Sequence, residues 1–397
     1  MAKLTDNKVL LSLVAINLFG HMAISGGRIT SSLYALKQGS NVSSVGLLIA
    51  LYGILPMFFS LPIGRWVDRV GPFTPMLLGI TAVVCGLIVP VIFSEPVVLI
   101  LTAILSGTGF MMVALSAQHS IGHLFNHEVT RRITAFGWLA LGHSSSGVLG
   151  PMLVGILIDW TSFKVAFIFL IVCACISLWL IKLNENPLKA IVIEKSPLKI
   201  HNVWSLVGTN QLKRVYVVGI LVAIPWDLFV FLMPILGHQQ NLSASAIGSI
   251  LSALAMGTFS IRFITARWGH RFSEWQMLRS AVMVIVFVYL ALPFVKLPFL
   301  FFLLSFTLGM AVGSGQPNML SLLHSLAPPG RGAEAIGLRG TFANASGVAV
   351  PLIFGFTLST IGILPIFWGV AALVSLAFPL AHKEVKIRQF KMNNKQI

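Results

Sequence analysis

Apolar runs long enough to cross a lipid bilayer follow one another along the whole chain, separated by short polar stretches. A spanning helix needs about 20 such residues, and twelve runs reach that length, at roughly 9–36, 44–67, 73–94, 97–124, 133–158, 163–182, 215–236, 245–268, 278–295, 298–325, 333–358 and 362–381. One connection is long and polar: residues 183–212 carry Lys189, Lys195 and Lys199 and fall near the midpoint. It separates an N-terminal six-helix half, 1–182, from a C-terminal six-helix half, 213–382, which a basic tail, 383–397, follows. The other loops are too short to hold a soluble domain. The pattern predicts an all-α membrane protein with twelve transmembrane helices in two pseudo-symmetric six-helix bundles.

The two halves share a sequence. Residues 131–155, RRITAFGWLALGHSSSGVLGPMLVG, align without a gap to residues 331–355, RGAEAIGLRGTFANASGVAVPLIFG. Arg131, Ala135, Gly137, Ser146, Gly147, Val148, Pro151 and Gly155 meet Arg331, Ala335, Gly337, Ser346, Gly347, Val348, Pro351 and Gly355. A repeat of this kind points to a duplicated half. Each copy is an apolar helix that opens on a basic loop and holds a proline in its interior, which neighbouring helices in lipid tolerate by re-satisfying the freed carbonyl. Gly142, Ser146 and Gly150 recur every fourth residue, the small-residue spacing of closely packed membrane helices. The segment reads either as a packing seam or as a working hinge.

Composition agrees. The chain is 56% hydrophobic and only 10% charged, too little polar surface for a soluble protein of 397 residues. A net charge of +16 could suit nucleic acid, but the basic residues concentrate in the N-terminal segment, the tail and every second loop, with Lys37, Lys164 and Lys296 opposite and Arg28 and Arg262 within spans. That is the positive-inside distribution, and it places both termini in the cytoplasm, with the tail against anionic headgroups and no nucleic-acid partner. Cys85, Cys173 and Cys175 lie in spans, where apolar packing is expected. Residues 1–8 are too short and polar for a cleavable signal, so the first span is expected to act as an uncleaved insertion signal. Asn41 and Asn241 begin glycosylation sequons that matter only in a secretory pathway.

The loop after the second span reads Gly64-Arg-Trp-Val-Asp68-Arg69-Val-Gly71. It resembles the G-x-x-x-D-R-x-G signature of the major facilitator superfamily, secondary transporters built of two six-helix halves; Pro72 and Phe73 stand where that family usually has a basic pair. The resemblance implies that Asp68 latches one conformation, engaging Arg131 or Arg132, and that the halves rock about a central site. A faded second copy stands at Ala266-Arg267-Trp268-Gly269. Gly147, Gly150, Pro151 and Gly155 resemble the G-P-x-x-G-G signature of drug and metabolite exporters that exchange cargo for protons, with Val154 replacing one glycine. The arginine and glutamine of the exporters' fourth span are replaced by Ala103 and Ser106, ahead of Gly107 and Gly109.

Ionisable residues inside spans are expensive and therefore informative. Asp227 is the one deep carboxylate, and Arg28 and Arg262 are the deep arginines. The duplication offsets matching landmarks by about two hundred residues, which brings Arg28 to the level of positions 226–230, and makes Arg28 and Asp227 the leading pair. Asp227 reads as a proton carrier or as half of an ion pair that locks a gate. Arg28 and Arg262 leave excess positive charge for a carboxylate or phosphate, although Arg262 could also snorkel to the interface. Trp226, Gln118, His119, His143, Gln316, Asn318 and Asn344 are candidates to line the same space or to bond neighbouring helices.

The expectation is a secondary transporter, not an enzyme, in the cell membrane of a bacterium. It would act as a monomer without cofactor, taking a small-molecule substrate and protons as partners. Proton-coupled export of an organic anion, zwitterion or drug is favoured; proton-symport import is the rival. An intramembrane hydrolase built on His143-Ser144-Ser145-Ser146-Gly147 and a non-transporting receptor are remote alternatives.

Overall fold

A computed structural model describes residues 2–125, 129–191, 209–268, 273–326 and 332–393. Its described residues form helices, turns and short loops. The helices are α1 (Ala2–Lys37), α2 (Val42–Val70), α3 (Phe73–Ile92), α4 (Leu99–Leu124), α5 (Val129–Trp160), α6 (Phe163–Leu183), the short α7 (Glu185–Lys189), α8 (Asn210–Gln239), α9 (Ala244–Trp268), α10 (Glu274–Ala291), α11 (Pro298–Leu326), α12 (Gly332–Ile361), α13 (Ile363–Ser375) and α14 (Ala377–Asn393). Among the described residues, twelve stretches are long and apolar enough to cross a membrane, and the last, Ile363–Ile387, runs through both α13 and α14. Helix α2 runs on past its apolar part to Val70, so the polar motif from Gly64 to Arg69 is itself helical.

Local chemistry sets the ends. The Asn41 side chain accepts from the Ser44 amide at 2.8 Å, and Ser162 does the same for Val165 at 3.3 Å. Ser273 and Gln276 form a capping box at the start of α10. Gly71 closes α2 at φ +82°, a left-handed conformation in which its amide still donates to the Val67 carbonyl, so the motif's last glycine is a helix stop.

The chain divides into two compact units, residues 1–198 with 233–252 and residues 199–232 with 253–397, so that α8 and α9 contribute to both. Most of the linker, 192–208, and the tail's end, 394–397, lie outside the described residues. In the first unit α1 packs on α5 and α6, α3 on α4 and α6, and α2 on α4. In the second, α10 packs on α11, α13 and α14, and α11 on α12.

Glycines bring these helices together. A Cβ on Gly107 of α4 would run into the Tyr52 carbonyl of α2, and one on Gly309 of α11 into the Leu254 carbonyl of α9. These contacts are 202 residues apart in both partners, so the duplication extends beyond the fifth and eleventh spans. Gly79 and Gly109 each face the other's carbonyl, joining α3 to α4. On the outside, large apolar side chains stay exposed, among them Phe59, Trp160, Phe263, Phe287 and Phe299, a surface suited to acyl chains.

Gly107→Val and Gly309→Val should therefore each destabilise the protein by about 1–3 kcal/mol through overpacking. Gly369→Ala, where nothing lies within 4 Å, should change little. Thermal unfolding in detergent reads the difference; equal midpoints for all three variants would show that the close approaches do not hold the helices.

Candidate functional site

An ionised group in an apolar helix has to be held by its neighbours. In the second unit, Asp227 sits half-buried in α8, and the Ser346 hydroxyl of α12 donates to its Oδ2 at 2.8 Å. The next residue, Gly347, leaves room for the other carboxylate oxygen, since a Cβ there would lie 4.0 Å from Oδ1. Just before Asp227, the Pro225 carbonyl accepts from the buried Tyr289 hydroxyl of α10 at 2.5 Å. Two helices, α10 and α12, thus converge on one short segment of α8, with half-buried Trp226 inside it.

Arg262 of α9 donates from Nη2 to Oε1 of Gln316 on α11 at 2.9 Å, uniting two of the sequence candidates. Asn318 binds the Ser314 carbonyl at 2.7 Å and Met277 Sδ at 3.5 Å, so its amide stitches α11 to itself and to α10. Asn344 is exposed on α12.

The first unit holds its own polar cluster. The Arg28 guanidinium lies over the Tyr52 ring, 5.5 Å from its centroid, and the Tyr52 hydroxyl meets Ser31 Oγ at 3.0 Å. Two turns earlier on α1, His21 Nδ1 lies 2.7 Å from Ser146 Oγ of α5. The His21 ring lies against that of His143, centroids 3.6 Å apart and planes tilted by 32°, and Phe110 of α4 lies 5.3 Å and 6.2 Å from the two. Ser25 donates to the Ser146 carbonyl at 3.4 Å. His119 is half-buried beside His123, ring centroids 4.4 Å apart, and Gln118 is exposed.

Arg28 belongs to the first unit, where it rests on Tyr52, and Asp227 to the second, where Ser346 donates to it. In both units the serine of the repeated helix, Ser146 or Ser346, meets a polar side chain from that unit's first span. The prolines Pro151 and Pro351 both lie within unbroken helices. Gly150 accommodates Ser25 and the Met22 carbonyl, and Gly155 abuts the backbone of Ala244, while Gly355 is buried on α12. Gly64 has open space around it and Arg69 is exposed. The side chains of Asp68, Arg131 and Arg132, and that of Arg267 in the second copy of the motif, lie outside the described part of the structure.

Three features escaped the sequence. His21 carried a visible signal, lying seven residues from Arg28 and hence on the same helix face. Ser346 was marked by its match to Ser146 but needed the fold to bring it to Asp227. The third is Arg339, near the start of α12. It lines a small hollow with Tyr216, Met319 and Phe342, and its Nε is buried with no hydrogen-bond partner among the described residues.

Comparison with known proteins agrees with this architecture. Residues 11–351 match the family described as Major Facilitator Superfamily. Over 203 residues the chain is 25% identical to a multi-drug resistance efflux pump PmrA homolog of Lactococcus lactis subsp. lactis (strain IL1403), which spans about half of each protein, 49% of this chain and 49% of the relative. Among solved structures, a bacterial homolog of the human lysosomal transporter Spinster superposes with a TM-score of 0.76 at 12% identity, covering 95% of this chain and 96% of that one. A POT family transporter in complex with a thioalcohol-conjugated peptide reaches 0.77 at 15% identity, covering 96% of each. At such identities the structures speak for the fold, and the family match speaks for descent: the chain belongs to the major facilitator superfamily.

Proposed function

We propose that this transporter exports a small organic anion, zwitterion or drug in exchange for protons, by alternating access. The observation that carries the proposal is Asp227: a carboxylate in the middle of an apolar helix, in hydrogen-bond contact with the repeated helix through Ser346. A carboxylate so placed has a neutral form that suits apolar surroundings and a charged form that its hydrogen bond supports. A change in those neighbours between two conformations would let it take a proton on one side and release it on the other. Arg28, resting on Tyr52, and Arg262, beside Gln316, offer donors to a carboxylate or phosphate on the cargo. Export is favoured by the distant relative, an efflux pump, and by the G-P-x-x-x-G pattern of α5. Proton-symport import would use the same groups in the opposite sense.

A conformational contact supports alternating access. Both Asp159 carboxylate oxygens accept backbone amides at the start of α9, Ala244 at 2.9 Å and Ser245 at 2.7 Å. A carboxylate suits the positive end of a helix. Just below, Gly248 meets the Pro151 carbonyl and the Ser252 hydroxyl donates to the Val148 carbonyl at 2.6 Å. This seam between α5 and the first turns of α9 would open in one half of the transport cycle and close in the other.

Asp227→Asn, which keeps an acceptor for Ser346, should abolish proton-driven flux while leaving substrate counterflow in reconstituted vesicles. Full gradient-driven transport in that variant would remove Asp227 from the mechanism. Arg28→Gln and Arg262→Gln should each weaken an anionic substrate by about tenfold or more, as loss of a hydrogen bond to a charged group does; unchanged affinity in both would reject an anionic cargo. Asp159→Ala should cost about 1 kcal/mol as a lost helix cap and speed maleimide labelling of Ser245→Cys. Labelling at the unmodified rate would show that the carboxylate does not hold the seam shut.

A further inference from the structure

From the first unit we infer that His21, His143 and Ser146 form a second proton-binding site, one that holds a single proton between two imidazoles. The hydrogen-bond directions come first. Ser146 Oγ donates to the His143 carbonyl on its own helix at 2.7 Å, which uses its only proton. His21 Nδ1, 2.7 Å from the same oxygen, must then be the donor. The neutral His21 ring is therefore the Nδ1–H tautomer, and Nε2 is left as the base. The ring is half-buried, so a proton can reach it.

The close, tilted contact of the two rings sets the capacity. With centroids 3.6 Å apart, one ring can carry a proton while its neutral partner offers a π face, as a cation does over an aromatic ring. A second proton would put two like charges in contact, which the site disfavours. The pair titrates as one unit whose proton belongs to neither residue alone.

Helix α5 brings His143, α4 brings the Phe110 ring, and α6 brings Ser177, which donates to the Ile16 carbonyl. Helix α3 brings the Leu87 side chain near Gly27, and α2 brings Tyr52, on whose face Arg28 rests. Arg28, seven residues further along α1 and so on the same face, is a fixed charge near the pair. An anion that neutralised Arg28 would make the pair a better home for a proton, and by reciprocity a proton there would strengthen the anion's binding. This linkage rests on the reading of Arg28 as an anion site; the proton site itself does not.

Purified protein labelled with nitrogen-15 histidine tests it, with imidazole resonances followed by NMR between about pH 8 and pH 5. Two coupled rings sharing one proton are expected, and their signals should be lost together in His21→Asn. His143→Asn, at an exposed position, should leave His21 titrating alone as an ordinary single site. Ser146→Ala keeps both rings but removes the fixed tautomer, and should shift the His21 nitrogens toward a mixture of tautomers, which covers the case in which His21→Asn fails to fold. Two rings that each take a full proton independently, or that take none over this range, would overturn the inference. Because the readout is histidine nitrogen and not flux, it stands or falls separately from Asp227.

Discussion

Helices in lipid gain nothing by hiding apolar surface from one another, because acyl chains are as apolar as leucine. Their association depends on how closely the backbones can come. In this protein that approach is made where a side chain is missing: Gly107 against Tyr52, Gly309 against Leu254, Gly79 and Gly109 against each other, and Gly155 and Gly248 along the seam of α5 and α9. Around each contact, dispersion between many atoms supplies the attraction that water supplies elsewhere. The positions of the polar groups follow, because only once the helices are this close can the short side chains of Ser146 and Ser346 reach across to a neighbour.

The polar groups are few and are used economically. A hydroxyl on the repeated helix meets a titratable side chain in each unit, histidine in the first and aspartate in the second. The duplicated scaffold thus presents the same serine to two different acids and bases, and divergence of the partner gives the halves different chemistry. Arg262 with Gln316 and Arg28 with Tyr52 show a second solution, in which a guanidinium is set against an amide or a ring.

Much of this was legible in the sequence. Twelve apolar runs gave twelve spans because length and hydropathy alone decide what crosses a bilayer. The repeat at 131–155 and 331–355 announced the two halves, and Asp227 stood out as a deep carboxylate. What escaped was three-dimensional. A serine is unremarkable in a membrane helix until a histidine is found 2.7 Å away, and His21 looked like one polar residue among several. Arg339 fell inside the predicted run 333–358, and only the fold shows the hollow it lines with Tyr216, Met319 and Phe342. The role of Asp159 was hidden for a different reason: its partners are backbone amides, which leave no trace in residue type.

The last helix has a practical meaning. Glu384 of α14 is buried and ion-paired with Arg214, in the opening turns of α8. Since Asp227 lies further along that same α8, the far end of the chain is mechanically tied to the rod that carries the carboxylate. Anything that tugs on the carboxyl terminus, such as a fused fluorescent protein, a purification handle or a docked regulator, would be felt along that rod. A reporter attached there is therefore also a perturbation, and a neutral place for one has to be sought elsewhere.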